Sequence, residues 1–105
     1  MSTREREVEG YLTGQLKSKL GLACMKFLPD NRNGMPDRLI LLPGCKVLWV
    51  ELKTVGGTLS PIQKLRHEEL RRLGHRVVVV WDKLQADELV EELSRELKSG
   101  RDSRE

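Results

Sequence analysis

The stretch that decides the fold covers residues 36–53 and reads PDRLILLPGCKVLWVELK. Two apolar runs flank the turn-forming residues 43–46, and this pattern predicts a β-hairpin. Because side chains alternate along a strand, Glu51 and Lys53 must point to the same face of the sheet. If the hairpin returns Asp37 to that face, two carboxylates and an ammonium group converge at one point.

The register of the hairpin decides whether these three side chains meet. A three-residue loop that pairs Pro43 with Val47 would place Asp37 opposite Lys53 and diagonal to Glu51, on one face. A two-residue loop would turn Asp37 to the other face. The three side chains therefore meet only if the loop has an odd number of residues, or if a β-bulge corrects the register of a loop with an even number.

The converging groups suit a divalent cation beside a phosphodiester. Magnesium prefers carboxylate and carbonyl oxygens together with water. Asp37 and Glu51 would supply two carboxylates, and the backbone carbonyl of Leu52 would add a third oxygen. Such a cation would polarise a phosphodiester oxygen and lower the pKa of a bound water. Lys53 would orient that water and stabilise the charge that grows on the phosphate.

The remaining segments predict an α/β fold. Apolar periodicity, capping residues and turn formers predict helices and strands in the order α-β-β-β-α-β-α. We expect a mixed four-stranded sheet with helices on its faces. The first three strands should form an antiparallel meander, and a crossover helix should make the third and fourth strands parallel. The helices are predicted over residues 3–19, 60–73 and 86–98, and the outer strands over 22–28 and 76–81.

Length and composition limit the classes of protein that the chain can belong to. The 105 residues suffice for one domain, assigned to residues 1–98 with a charged tail over 99–105. Lysine and arginine total 19 against 16 acidic residues, a mild positive balance that is compatible with a polyanionic partner. No apolar run reaches membrane-spanning length and the N-terminus is unlike a signal peptide, so a cytoplasmic location is expected. Cys24 and Cys45 fit no zinc spacing and are expected to be reduced, packed thiols.

Three motifs follow one another along the chain: Gly34-Met35-Pro36-Asp37-Arg38-Leu39, then Val50-Glu51-Leu52-Lys53, then Gly57-Thr58-Leu59-Ser60-Pro61-Ile62-Gln63. In this order and spacing they resemble the VRR-NUC branch of the PD-(D/E)XK nucleases. The resemblance extends from residue 5 to about residue 81. It implies a restriction-endonuclease-like core and hydrolysis of DNA phosphodiester bonds with Mg²⁺ or Mn²⁺.

The resemblance also implies roles for two further residues. A glutamate of the first helix usually joins the metal site of this superfamily. Glu9 best matches that position, and Glu5, one turn earlier on the same face, is the reserve candidate. Gln63 matches a glutamine that borders the active site in this branch, where its amide could hold a phosphate or Lys53. Structural roles stay open for both residues, since Glu9 also suits the helix dipole and Gln63 could be a helix-surface residue.

Several basic residues are candidates for contacts with DNA phosphates, although a solvated surface is the better explanation for each one taken singly. These are Lys26, Arg32, Arg38 and Lys64. The two histidines, His67 and His75, are interpreted as surface residues without a catalytic role.

The expected substrate follows from the resemblance. One small site per chain cuts one strand, so cutting both strands of a branch calls for a symmetric dimer. We therefore expect a homodimeric endonuclease that resolves four-way (Holliday) junctions and reads DNA shape and backbone. Two alternatives stay open. One is a nuclease of flaps, nicks or duplex ends that works with a helicase or packaging motor. The other is a non-catalytic DNA-binding module, against which the intact Asp37, Glu51 and Lys53 argue.

Overall fold

The computed structural model describes residues 3–102 of the chain. Within this range it contains three α-helices, one short π-helix and four strands. In chain order these are α1 (Thr3–Gln15), the π-helix (Leu16–Leu20), β1 (Cys24–Lys26), β2 (Arg38–Leu42), β3 (Lys46–Leu52), α2 (Pro61–Arg72), β4 (Arg76–Val80) and α3 (Lys83–Asp102). No helix among the described residues combines the length and the apolar character that crossing a membrane requires.

The four strands form one mixed sheet in the order β1-β2-β3-β4. Strand β2 pairs antiparallel with both β1 and β3, whereas β3 pairs in parallel with β4. The parallel pair is joined through α2, as the crossover rule requires. The predicted α/β fold and its mixed sheet are confirmed.

The ends of several elements differ from those predicted. Strand β1 covers Cys24–Lys26 only. One residue further on, the Phe27 amide still donates a hydrogen bond of 3.0 Å to the Asp37 carbonyl oxygen. Helix α3 extends the predicted 86–98 in both directions, to Lys83–Asp102. The first part of the expected charged tail is therefore helical, and residues 103–105 lie outside the described residues.

Alternation along β3 divides the interior into two faces. Leu48, Val50 and Leu52 point to one face, which we call the helix-pair face because α1 and α3 cover it. Trp49 and Glu51 point to the other, which we call the α2 face. The helix-pair face carries the large apolar core, whose helix residues include Val8, Leu12, Leu16, Leu89, Val90 and Leu93. Burying each such side chain contributes roughly 1.5–3 kcal/mol, so most of the stability comes from this face.

The loop between β1 and β2 packs on α2. Arg66 donates from Nε to the carbonyl oxygen of Asn33 at 3.0 Å, and Arg32 forms an ion pair with Glu69. Gly34 lies so close to α2 that an added Cβ would be 2.6 Å from the carbonyl oxygen of Ile62. These contacts hold the segment that leads directly into Asp37.

Candidate active site

The hairpin has the odd loop that convergence requires, but it closes one residue earlier than predicted. Leu42 pairs with Lys46, so the expected pairing of Pro43 with Val47 is wrong. The loop consists of residues 43–45, and two of them, Gly44 and Cys45, have positive φ values of 77° and 62°. Cys45 is exposed in this turn while the other thiol is buried, so the expectation of two packed thiols holds for one only.

The altered register changes which residue faces Asp37. Arg38 pairs with Val50, so the same register continued by one residue places Asp37 opposite Glu51 and not opposite Lys53. Because the number of loop residues stays odd, Asp37 lies on the α2 face as the convergence argument requires. The two carboxyl groups are direct cross-strand neighbours.

Asp37 is held by the backbone of β3. Its Oδ2 accepts a hydrogen bond from the Leu52 amide at 2.9 Å. The N–H and C=O groups of one strand residue point to the same edge, so the Leu52 carbonyl also lies on the side of Asp37. The end of β3 thereby brings the Asp37 carboxylate against the Leu52 backbone, beside Glu51.

Glu51 is buried, with only 1% of its surface exposed. Burial, together with the hydrogen bond and the negative charge of Asp37, raises the pKa of Glu51 to about 9, against the opposing influence of Lys53. In the absence of a cation the Glu51 carboxyl group therefore keeps its proton at neutral pH.

Gln63 joins the start of α2 to this carboxyl group. Its side-chain Oε1 accepts from the Ser60 amide at 2.9 Å and its own amide donates to Ser60 Oγ at 3.2 Å, which completes a capping box. Its Nε2 lies 3.5 Å from Glu51 Oε2. Gln63 thus has a structural role as a cap and also borders Glu51, so it is not merely a helix-surface residue.

The interpretation of both histidines as surface residues is wrong. His67 is 1% exposed, and its Nε2 lies 3.2 Å from Glu51 Oε1. His75 is half-buried and contacts the ring of Trp49 edge-on at 6.0 Å. The helical spacing of Gln63, His67 and Leu70 contained the missed signal, because residues four and seven positions apart share one face of a helix.

The structure favours Glu5 over Glu9 as the helix-borne acid. Glu9 accepts a hydrogen bond from Arg38 Nε at 2.9 Å, and Arg38 points to the helix-pair face, away from Asp37 and Glu51. The charge of Glu5 contributes to raising the pKa of Glu51. The carboxylate of Glu9 is engaged by Arg38, a pairing that the sequence alone could not show, and the choice between Glu9 and Glu5 stays a prediction.

Comparison with known proteins identifies the family. The chain matches no family model. It is 39% identical over 77 residues to "Putative nuclease p44" of Acyrthosiphon pisum secondary endosymbiont phage 1, an alignment that covers 73% of this chain and 82% of the relative. A solved structure described as "VRR_NUC domain" superposes with a TM-score of 0.77 at 33% identity, covering 86% of this chain and 97% of that one. The chain belongs to the VRR-NUC family of nucleases.

Membership in the VRR-NUC family confirms the resemblance carried by the three motifs. The mixed four-stranded sheet with its helices is the VRR-NUC fold, and the chain is a member of this nuclease family. Asp37 and Glu51, the acidic residues of the first two motifs, are the carboxyl groups that the sheet brings together.

The four basic residues considered for DNA contacts differ in their availability in this VRR-NUC structure. Arg38 is mostly buried and bonds both Glu9 and the carbonyl oxygen of Cys24, at 2.9 and 3.0 Å. Arg32 is paired with Glu69. Lys26 and Lys64 are exposed, and Lys64 lines a cleft of about 410 Å³ together with Leu59, Leu65, His67, Glu68 and Arg71. Only Lys26 and Lys64 therefore remain good candidates.

The donor set of this VRR-NUC centre fits a magnesium or manganese ion. Among the residues with described side chains, no three histidine, cysteine, aspartate or glutamate side chains are grouped closely enough to form a complete cation site. Magnesium does not need such a group, since it keeps several waters and is commonly held by one or two carboxylates. A dication would add positive charge beside Asp37 and Glu51 to that of Lys53.

Proposed function

We propose that this VRR-NUC protein is a metal-dependent DNA endonuclease with its centre at Asp37, Glu51 and Lys53. One observation carries the proposal: two carboxyl groups remote in sequence meet across the β2–β3 pair, where burial and the neighbouring Asp37 raise the pKa of Glu51. Burial of one acid beside another costs stability and gives no attraction to phosphate, so DNA binding alone would not call for this pair.

Asp37 and Glu51 would hold Mg²⁺ or Mn²⁺, with the Leu52 carbonyl as a further oxygen donor, while Glu5 adds its negative charge to the surroundings of Glu51. When bound, the cation supplies a polarised phosphodiester oxygen and a water of lowered pKa. Lys53 follows β3 on the face of Glu51, where its ammonium group acts on the pKa of that carboxyl. From this position Lys53 orients the attacking water and stabilises the negative charge that develops on the phosphate.

The test is cleavage of DNA by wild type and Lys53→Ala in the presence of Mg²⁺ or Mn²⁺. Loss of a single group that stabilises the transition state costs about 10²–10³-fold in rate, so K53A should lose cleavage by that factor while it retains DNA binding. Lys46→Ala is the matched control, because Lys46 is an exposed lysine at the other end of the same strand. Wild-type activity that survives complete chelation of divalent metals would disprove the metal-dependent centre.

We propose further that the substrate is branched DNA, a four-way junction, and that the protein acts as a homodimer. The support is geometric: each chain has one small centre, and paired cuts on a branch need two centres related by symmetry. The proposal is tested by comparing junction, flap, nicked and plain duplex DNA, with the mass of the protein in solution measured alongside. If the protein is a monomer and prefers flaps, nicks or duplex ends, the junction proposal is wrong. The alternative, a nuclease that works with a helicase or packaging motor, then takes its place.

A further inference from the structure

Two side chains of α2 hold the two oxygens of the Glu51 carboxyl group. His67 Nε2 lies 3.2 Å from Oε1, and Gln63 Nε2 lies 3.5 Å from Oε2. The residues are four positions apart and so project from one face of the helix. The capping box fixes the first turn of α2, so both contacts come from a rigid element.

His67 has no other partner among the described residues. Its ring is 1% exposed, and its Nδ1 is buried without a hydrogen-bond partner. A neutral imidazole has one donor and one acceptor nitrogen. A second N–H on Nδ1 would be buried without an acceptor, which is costly, so the surroundings favour a ring that carries one N–H.

The contact with Glu51 assigns the tautomer of this ring. An ionised carboxylate accepts hydrogen bonds only, so opposite ionised Glu51 the proton must lie on Nε2. Nδ1 is then a lone pair without a partner, which costs less than a buried N–H without one. The ring therefore offers its single N–H to Oε1 of Glu51.

We infer that His67 is a positioning residue that holds the ionised Glu51 carboxylate in the orientation that faces Asp37. The inference rests on the proposed metal centre, because Glu51 is ionised at neutral pH when a cation takes the place of its proton. Hydrogen bonds to a ligating carboxylate fix its rotation and so reduce the ordering that metal binding requires. Without His67, Oε1 would be buried without a donor from α2, and the carboxyl group would be held from α2 by the 3.5 Å contact of Gln63 with Oε2 alone.

The test compares two variants of equal length, His67→Gln and His67→Met. Both replacements are unbranched, and only glutamine carries an N–H donor. The direct measurement is Mn²⁺ affinity without DNA, by isothermal titration or by electron paramagnetic resonance of free Mn²⁺. Removing a hydrogen-bond partner of a ligand typically weakens metal affinity about 10–100-fold, which is the loss expected for H67M, whereas H67Q should stay within a few-fold of wild type.

Controls separate the possible failures. His75→Gln changes the histidine that contacts Trp49 and should leave Mn²⁺ affinity unchanged. If wild type binds no Mn²⁺, the proposed metal centre itself fails. If wild type binds Mn²⁺ and H67M binds it equally well, only the role of His67 is overturned. Unfolding of H67M, or equal losses in H67M and H67Q, would assign His67 to packing and would also overturn the inference.

Discussion

The two faces of the sheet differ in what they bury. The helix-pair face buries an apolar core against α1 and α3. The α2 face buries a small apolar cluster of Trp49, Leu70 and Val77, together with the polar pair Glu51 and His67. Burial of an acid beside another acid costs stability, and the apolar core opposite offsets that cost. One strand, β3, serves both purposes because alternate residues belong to opposite faces.

Substitution of Glu51 should separate activity from stability most strongly. Glu51→Gln keeps the shape of the side chain and removes its charge. We expect cleavage to fall by at least about 10²–10³-fold, the cost of losing one key electrostatic contact, while the melting temperature without metal stays equal or rises. The measurement pairs cleavage rates in Mn²⁺ with thermal unfolding in chelator. A strongly destabilised E51Q would contradict the view that the buried Glu51 lowers the stability of the metal-free protein.

The opposite behaviour is expected on the helix-pair face. Leu12 is fully buried, and truncation of a buried leucine to alanine costs about 2–5 kcal/mol of unfolding free energy. Leu12→Ala should lose this stability in urea unfolding, yet retain the metal affinity of the folded fraction. Leu84→Ala is the control, since Leu84 is 67% exposed and surface substitutions change stability by within about 0.5 kcal/mol. A lower metal affinity in folded L12A would show that the faces are coupled.

The junction between the β1–β2 loop and α2 provides a third test. Gly34 and Gly44 both have positive φ, at 86° and 77°. A Cβ at Gly34 would clash with the backbone of Ile62, whereas a Cβ at Gly44 meets nothing within 4 Å. Gly44→Ala therefore measures backbone strain alone, on the order of 1 kcal/mol.

Gly34→Ala adds the clash to this strain, and relief of the clash must move either α2 or the segment that leads to Asp37. We expect G34A to cost about 1–3 kcal/mol more than G44A, as overpacking does, and to lose cleavage that G44A keeps. Urea unfolding and cleavage assays on both variants measure these effects. Equal behaviour of the two variants would mean that the packing of this loop on α2 does not position the centre.

The sequence predicted the α/β fold, the strand order and the meeting of Asp37 with Glu51, because these depend on alternation and on the parity of one loop. It could not predict the exact pairing, since the choice between Pro43–Val47 and Leu42–Lys46 depends on which turn residues adopt positive φ. The match to the family motif favours Glu9 over Glu5, and motif spacing cannot show that Arg38 turns to the helix-pair face and pairs with Glu9. His67 was missed because its burial depends on how α2 rotates over the sheet.

The last prediction concerns the pH dependence of the unfolding free energy, whose change per pH unit is small. It examines Glu51 on the α2 face alone. The folded-state pKa of Glu51 is raised from 4.5 to about 9, so between these values the unfolded chain loses a proton that the folded chain keeps. Rising pH therefore destabilises the metal-free protein over this window, with a slope that cannot exceed about 1.4 kcal/mol per pH unit. Urea unfolding of wild type and E51Q from pH 5 to 9 isolates this contribution, because their difference cancels the other titrating groups. Saturating Mn²⁺ binds the ionised form and should stabilise wild type more at the alkaline end, whereas parallel curves for the two proteins would show that Glu51 is already ionised in the folded state.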